Sequence, residues 1–219
     1  MPQTRCARLE IIVKNQQKNA PREYYYAKYR EADPLEAVLR TGLAFDPDRG
    51  CFTLNALGNI LFAQWPEFRL TPADEENCPK ILCDFAMEIV TMRFIIEGAD
   101  IPASGNFKAY RELPWGGVYD TNFQGRCVKR LASSFGPKLE EFEKAANSLG
   151  GTKLRLGDAS FDLPFLGSVV CRLIIWGPDE EFPSSAQFLF SDNTAFAFNA
   201  EDLAAVGDIV ICALKEAAL

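Results

Sequence analysis

Three consecutive carboxylates, Asp179, Glu180 and Glu181, separate two apolar segments in the stretch LIIWGPDEEFPSSAQFLF. Such a run could supply a general acid and base, contribute to a metal site, or only solvate a turn. Acid–base catalysis would need at least one of these groups, or Asp158, in a dry cleft where burial raises its pKa. The residues alone leave the three alternatives open.

Three cations, Arg126, Lys129 and Arg130, have the i, i+3, i+4 spacing that places side chains on one helix face. Like charges at this spacing repel, and a solvated basic face is the plain interpretation. The functional interpretation is a receptor for carboxylate or phosphate groups, to which arginine offers a planar pair of donors. We predict that a small anionic ligand or cofactor binds here and at the preceding turn, formed by Trp115, Gly116 and Gly117.

The acidic run and the basic face are expected to lie opposite each other. A strand end followed by Pro183 is a rigid place from which to present carboxylates. At least one carboxylate of the acidic run would then face a cation of the basic face. Exposed pairs of this kind contribute only about 0.2 to 1 kcal/mol, which leaves room for a polar ligand between the two groups.

The chain contains no histidine. This absence excludes serine–histidine and cysteine–histidine nucleophile pairs, histidine-ligated metals and an imidazole general base. Neither a P-loop pattern nor a dinucleotide-type glycine pattern is present. The sequence therefore specifies no cofactor, and any enzyme would have to use carboxylate, lysine, tyrosine or cysteine side chains.

Seven cysteines are scattered along the chain, and reduced, mostly buried thiols are expected. The closest pair, Cys78 and Cys83, lacks the two-residue spacing of zinc knuckles and iron–sulfur loops. On one helix these two side chains would diverge by more than about 100°. We predict no metal site.

Composition indicates an ordinary globular protein. The 219 residues are 48% hydrophobic and 24% charged, and the net charge of -7 disfavours nucleic acid as a partner. No run approaches the roughly 18 apolar residues of a membrane span, and the first residues lack a secretory signal, so no membrane contact and a cytoplasmic location are expected. One domain over residues 1–219 is predicted, with residues 1–20 as a loosely ordered extension.

The predicted elements indicate an α+β fold, with a mixed or antiparallel sheet packed with a buried central helix and terminal helices. Two short helices are expected first, the second of which ends at Gly42, and a hairpin turns near Gly58. The segment Lys80–Glu97 is apolar around most of its circumference, which predicts the central helix. The next helix, which carries the basic face, is expected over Asn122–Phe135, started by the capping-box pair Thr121 and Gln124 after the PWGG turn.

The second half adds a helix over residues 139–149 and a central strand over Val169–Trp176. A further strand follows the acidic run. An amphipathic helix capped by Asn199 ends the chain, with Glu201 and Asp202 in its first turn.

Four stretches resemble the bacterial and archaeal family known as domain of unknown function 3786. These are YREADPLEAVLRTGLAFD, YRELPWGGVYDTNFQGRCVKRLASSFG, GDASFDLPFLGSVVCRLIIWGPDEEFPSSAQFLF and NAEDLAAVGDIVI. The similarity covers roughly Glu23 to Ile211. Some similar proteins carry an iron–sulfur module like that of corrinoid proteins of anaerobic one-carbon metabolism, but this chain lacks its cysteine cluster.

Three functions from different classes follow. The first is a module that binds a small anionic ligand. The second is an accessory protein that docks a larger enzyme of anaerobic one-carbon or corrinoid metabolism, as the resemblance implies. The third is a histidine-independent enzyme. A pocket lined by Arg126 or the acidic run would favour the first or third, whereas an exposed apolar patch of several hundred Å² would favour the second.

Overall fold

The computed structural model of the protein describes residues 23–219. The amino-terminal extension predicted for residues 1–20 lies outside this range. The first elements are α1 (residues 23–31), α2 (Pro34–Thr41), β1 (Ala44–Asp46), β2 (Cys51–Ala56), β3 (Asn59–Gln64) and β4 (Leu70–Pro72). The four strands form an antiparallel sheet in the order β1-β2-β3-β4.

Local signals in the sequence explain this first part. The Asp33 carboxylate accepts a hydrogen bond from the Leu35 amide at 2.8 Å and caps α2, and Gly42 ends the helix in the left-handed conformation. Leu57 and Gly58 both have positive φ and connect β2 to β3. The predicted hairpin at Gly58 is therefore confirmed.

The remaining elements follow in chain order. They are a 3₁₀ turn (Lys80–Cys83), α3 (Phe85–Glu97), β5 (Phe107–Ala109), a second 3₁₀ turn (Tyr110–Glu112), α4 (Gly116–Phe123), a π turn (Gln124–Val128), α5 (Lys129–Phe135), α6 (Leu139–Ser148), β6 (Thr152–Lys153), β7 (Ala159–Pro164), β8 (Val170–Trp176), β9 (Ser185–Ser191), α7 (Thr194–Ala197) and α8 (Ala200–Ala217). The second sheet is antiparallel, in the order β5-β9-β8-β7-β6. The α+β fold class with an antiparallel sheet is confirmed, and β8 is the middle strand as predicted.

The helix at the centre of the core is α8. It packs against α3, α6 and the segment from α4 to α5, and it buries Leu203, Val206, Val210 and Leu214. The helix expected to be central, α3, is also buried, but its first four predicted residues form the separate 3₁₀ turn. Asp84 ends that turn and caps α3. No described helix has the length and apolarity required to cross a membrane.

The basic-faced helix begins earlier than predicted. The expected start near Asn122 was wrong because α4 begins at Gly116, directly after Trp115. Trp115 adopts the left-handed conformation with φ 64°, which is rare for an aromatic residue and which helix-start rules do not anticipate. Thr121, expected as the cap, lies inside α4. The described helix continues through the π turn to Phe135.

Candidate ligand-binding site

A cavity of about 380 Å³ lies between α8 and the segment formed by α4 and the π turn. Its lining consists of Tyr119, Asn122, Phe123, Arg126, Cys127, Glu201, Ala204 and Ala205. Four of these residues follow the helical i, i+3, i+4, i+7 pattern from Tyr119 to Arg126. A single stripe of the helix therefore forms one wall of the cavity, and Glu201, Ala204 and Ala205 of α8 form the other.

Close packing of α8 against the π turn fixes the shape of this cavity. A Cβ added to Gly207 would lie 2.7 Å from the Cys127 Sγ and 2.8 Å from the Phe123 ring, so only glycine permits this approach. The Phe123 ring stacks on Tyr110 with centroids 4.3 Å apart. Both rings are buried, and they give the apolar floor a fixed position.

Two arginines beside the cavity share one carboxylate. Arg126, on the π turn, forms an ion pair with Asp208 of α8, and Arg130 reaches the same carboxylate at 3.0 Å. The Nη2 of Arg130 also donates to the Asp208 carbonyl oxygen at 3.3 Å, whereas its buried Nε has no hydrogen-bond acceptor. We call these three residues the open cluster. It carries a formal excess of one positive charge.

Exposure differs between the two guanidinium groups. The Arg126 side chain is 64% exposed, compared with 34% for Arg130 and 19% for Asp208. Arg126 lines the cavity, whereas Arg130 lies behind it against α8. An anion in the cavity can therefore reach Arg126 while Arg130 continues to neutralise Asp208.

Lys129, the third predicted cation, does not lie in this cavity. It lines a separate depression of about 340 Å³, together with Pro183, Ser184 and Ser185. The π turn adds a residue to the helical repeat between Arg126 and Lys129, which separates side chains that an ordinary α-helix would place together. The structure therefore brings together two of the three predicted cations.

The acidic run forms a turn of its own. The Asp179 carboxylate accepts hydrogen bonds from the amides of Glu181 at 2.8 Å and Phe182 at 2.6 Å, the pattern of an Asx turn. Glu180 and Glu181 are exposed. The expected ion pairing does not occur in the described chain, where no ion pair connects these three carboxylates with Arg126, Lys129 or Arg130.

Asp158 also supports the backbone. Its carboxylate accepts a hydrogen bond from the Gly177 amide at 2.8 Å, and its own amide donates to the Ile175 carbonyl at 2.9 Å. These bonds connect the start of β7 to the end of β8. Asp158, like the acidic run, is not part of the cavity lining.

The turn before α4 positions the helix and does not line the cavity. Trp115 is 80% exposed, and a Cβ built on Gly116 would overlap the carbonyl oxygen of Tyr110. Gly117 has much more space, since the nearest atom, the Arg111 carbonyl oxygen, would be 3.9 Å from an added Cβ. The close approach of a neighbouring atom therefore requires glycine at position 116 but not at position 117.

A second arginine cluster, missed by the sequence reasoning, lies at the start of α8. Arg93 of α3 contacts Asp202 at 3.0 Å, Glu97 at 3.4 Å and Glu201 at 3.8 Å. The Asp202 side chain is only 5% exposed, and burial raises its pKa from 3.8 to about 6 against the opposing effect of Arg93. We call these four residues the closed cluster. Glu201 and Asp202 are about a hundred positions from Arg93 in sequence, so spacing could not reveal the cluster.

Cys78 and Cys83 are half-buried free thiols at the 3₁₀ turn before α3. Cys78 lies in the loop before the 3₁₀ turn, and Cys83 ends that turn, so the two residues do not share a helix. The Cys78 thiol donates a hydrogen bond to the Pro79 carbonyl oxygen at 3.7 Å, and burial raises the pKa of both thiols. Within residues 23–219, no group of three or more histidine, cysteine, aspartate or glutamate side chains is arranged to hold a metal ion.

The structure thus defines an α+β protein in which two antiparallel sheets accompany a central carboxy-terminal helix. Residues 33–213 match the family described as domain of unknown function (DUF3786), and the chain belongs to this family. The resemblance seen in the four sequence stretches is confirmed, with a match that begins ten residues later than Glu23 and extends two residues beyond Ile211. No curated protein and no solved structure matches the chain.

Proposed function

We propose that this protein binds a small organic ligand with a carboxylate or phosphate group in the cavity beside the open cluster. The observation that carries the proposal is the shared carboxylate, because two guanidinium groups compete for Asp208 next to an accessible cavity. An incoming anion would neutralise the excess positive charge of the open cluster. Arginine is well suited to this role because its planar donors can engage both oxygens of a carboxylate.

Arg126 is the residue that contacts the anion. Its exposed side chain loses little when it leaves Asp208, since exposed ion pairs contribute only about 0 to 1 kcal/mol. Arg130 remains paired with Asp208 throughout. When the anionic group of the ligand replaces Asp208 as the partner of Arg126, Asp208 therefore still has a cation in Arg130.

The rest of the cavity suits an organic body with at least one hydrogen-bond donor. The rings of Tyr119 and Phe123 offer apolar contact, while the Asn122 amide and the Glu201 carboxylate offer polar groups on opposite walls. A volume of about 380 Å³ lies in the range of small-molecule sites. Glu201 would accept a hydrogen bond from a hydroxyl or amino group of the ligand.

A screen of small carboxylates and phosphates by ligand-observed NMR tests the proposal. Arg126→Gln removes the cation in the cavity, and Lys129→Gln, three residues away and outside the cavity, is the matched control for charge. We expect at least one compound to bind the wild-type chain and Lys129→Gln equally, and to bind Arg126→Gln about tenfold or more weakly. The absence of any binder, or equal weakening by both variants, would overturn the proposal.

Docking of a larger protein is the second candidate function. The observation in its favour is a group of exposed apolar side chains, Trp115, Val118 and Tyr119, at the start of α4. Trp115→Ala would abolish co-purification of such a partner without affecting the binding of small anions. Both candidates assume the cytoplasmic location expected from the sequence.

A further inference from the structure

The two walls of the ligand cavity run in the same direction. Arg126 of the π turn pairs with Asp208 of α8. Four residues later in both segments, Arg130 of α5 donates a hydrogen bond to the sulfur of Cys212 at 3.7 Å. Contacts that advance together along both segments show that α8 is oriented like the segment from α4 to α5. The positions seven residues before Arg126 and before Asp208 therefore lie at the same end of the cavity, away from the open cluster.

These two positions carry Tyr119 and Glu201, and both residues line the cavity. On α8, Glu201 lies about two helical turns, or about 10 Å, from the carboxylate residue that pairs with Arg126. Ala204 and Ala205 occupy the same face of α8 between these points, and their small side chains leave the space open. The cavity is therefore elongated, with the Glu201 carboxylate at one end and the guanidinium group of Arg126 at the other.

The Glu201 carboxylate is accessible to a ligand. Its side chain is 86% exposed, and its contact with Arg93 of the closed cluster is long, at 3.8 Å. Arg93 has closer partners in Asp202 at 3.0 Å and Glu97 at 3.4 Å, so it stays paired when Glu201 turns to a ligand. The aromatic ring of Tyr119 at the same end also favours a cation. This end of the cavity therefore suits an ammonium group.

We infer that the ligand is an extended zwitterion, with a carboxylate at Arg126 and an ammonium group at Glu201, about 10 Å apart. The inference rests on the proposed function, because it adds a second contact to the same ligand. A free α-amino acid is too short, since its two charged groups are attached to one carbon atom. An unblocked peptide of about three residues, at roughly 3.3 to 3.6 Å per residue, spans the distance, as does a long ω-amino acid.

The middle of the cavity bears on the choice between these two sources. Asn122 lies between Tyr119 and Arg126 on the helical stripe, and its side-chain amide can both donate and accept a hydrogen bond. A peptide group offers a matching acceptor and donor, whereas the methylene chain of an ω-amino acid offers neither. Both sources share the extended zwitterion, and the amide favours the peptide.

Ligand-observed NMR titrations with the tripeptide glycyl-leucyl-glycine and its N-acetylated form test the contact at Glu201. The two compounds share the carboxylate and differ in the ammonium group. We expect the wild-type chain to bind the free tripeptide about fivefold more tightly than the acetylated one, and Glu201→Gln to bind the two equally. Glu97→Gln removes a carboxylate from the closed cluster but not from the cavity lining, and should keep the difference.

Free leucine and ω-aminooctanoate test the distance and the source. Leucine should bind no more tightly than the acetylated tripeptide, because it cannot reach both ends of the cavity. Tighter binding of the tripeptide than of ω-aminooctanoate assigns the site to peptides, and the reverse order assigns it to ω-amino acids. Leucine that binds as tightly as the free tripeptide would overturn the extended zwitterion.

Two further results would overturn the inference. The first is equal affinity of the wild-type chain for the free and acetylated tripeptides, or a preference that persists in Glu201→Gln. If Arg126→Gln then binds both tripeptides more weakly than Lys129→Gln does, the proposed anion site stands without the ammonium contact. The second is no binding of any of these compounds, in which case the screen of carboxylates and phosphates decides the proposed function separately.

Discussion

Two arginine–aspartate clusters lie on the same helix, six residues apart, and differ in composition. In the closed cluster at Asp202, one arginine meets three carboxylates, and the central pair is almost completely buried. In the open cluster at Asp208, two arginines meet one carboxylate beside a cavity. The closed cluster carries a net negative charge and the open cluster a net positive charge.

This difference separates a structural role from a binding role. Arg93 joins α3 to α8 in a place that water barely reaches, where loss of one partner leaves the other charge buried. Arg126 joins the π turn to α8 at the surface, where water can replace the ion pair. We therefore expect the closed cluster to matter for stability, and the open cluster for the proposed binding of an anion.

The largest expected effect is on the closed cluster. Arg93→Met keeps much of the side-chain volume but leaves Asp202 without its cation, and should lower the free energy of unfolding by about 3 to 5 kcal/mol. Arg126→Met is the matched change in the open cluster and should cost less than about 1 kcal/mol. Urea unfolding followed by circular dichroism measures both. Equal losses in the two variants would remove the distinction between the clusters.

The second prediction concerns pH. Because the pKa of Asp202 is raised from 3.8 to about 6 in the folded chain, the folded state binds a proton more readily than the unfolded state between these values. The contribution of this group to stability is therefore complete below about pH 4 and decreases by about 3 kcal/mol as the pH rises through 6.

Unfolding experiments at several pH values test this contribution. Asp202→Asn should lack the decrease between pH 4 and 6, because the amide does not titrate. Glu97→Gln, which removes another carboxylate of the same cluster, should retain it. A pH profile of Asp202→Asn that superimposes on the wild-type profile would contradict the assignment.

The third prediction concerns the helix that carries the open cluster. Gly116→Ala forces a Cβ against the Tyr110 carbonyl and should lower the free energy of unfolding by about 1 to 3 kcal/mol. Gly117→Ala meets no close atom and should be neutral or slightly stabilising, because alanine favours helix by up to about 1 kcal/mol. Gly116→Ala should have the lower melting temperature of the two variants, and the reverse order would contradict the close contact between Gly116 and the Tyr110 carbonyl.

The smallest expected effect is the coupling within the open cluster. A double-mutant cycle of Arg126→Ala and Asp208→Ala should give a coupling of about 0.2 to 1 kcal/mol. The same cycle between Arg126→Ala and Glu180→Ala should give none, because the two side chains form no ion pair. A coupling to Glu180 larger than that to Asp208 would restore the pairing first expected from the sequence.

Features controlled by neighbouring residues were predictable from the sequence. The hairpin at Gly58, the middle strand β8 and the Asn199 cap of α8 each depend on a few residues with strong local preferences. The early start of α4 was not predictable, because it requires Trp115 in a conformation that its side chain disfavours. With the correct start, the stripe from Tyr119 to Arg126 would have been visible in the sequence.

The candidate site was only half predictable, for a different reason. Arg126 and Arg130 were recognised by their spacing, but their partner Asp208 is about eighty residues away in the chain. Only the fold brings such groups together. The same holds for Arg93 with Asp202. The divergence calculated for Cys78 and Cys83 does not apply, because a 3₁₀ turn replaces the helix that the calculation assumed.

The most direct test of the open cluster as an anion site is ¹⁵N NMR of the arginine side chains during titration with the strongest binder from the carboxylate and phosphate screen. We expect the Nε–H signal of Arg126 to shift in a saturable manner while the signal of Arg93 stays in place. A saturable shift at Arg93 with none at Arg126, or no saturable shift at either residue, would contradict binding at the open cluster.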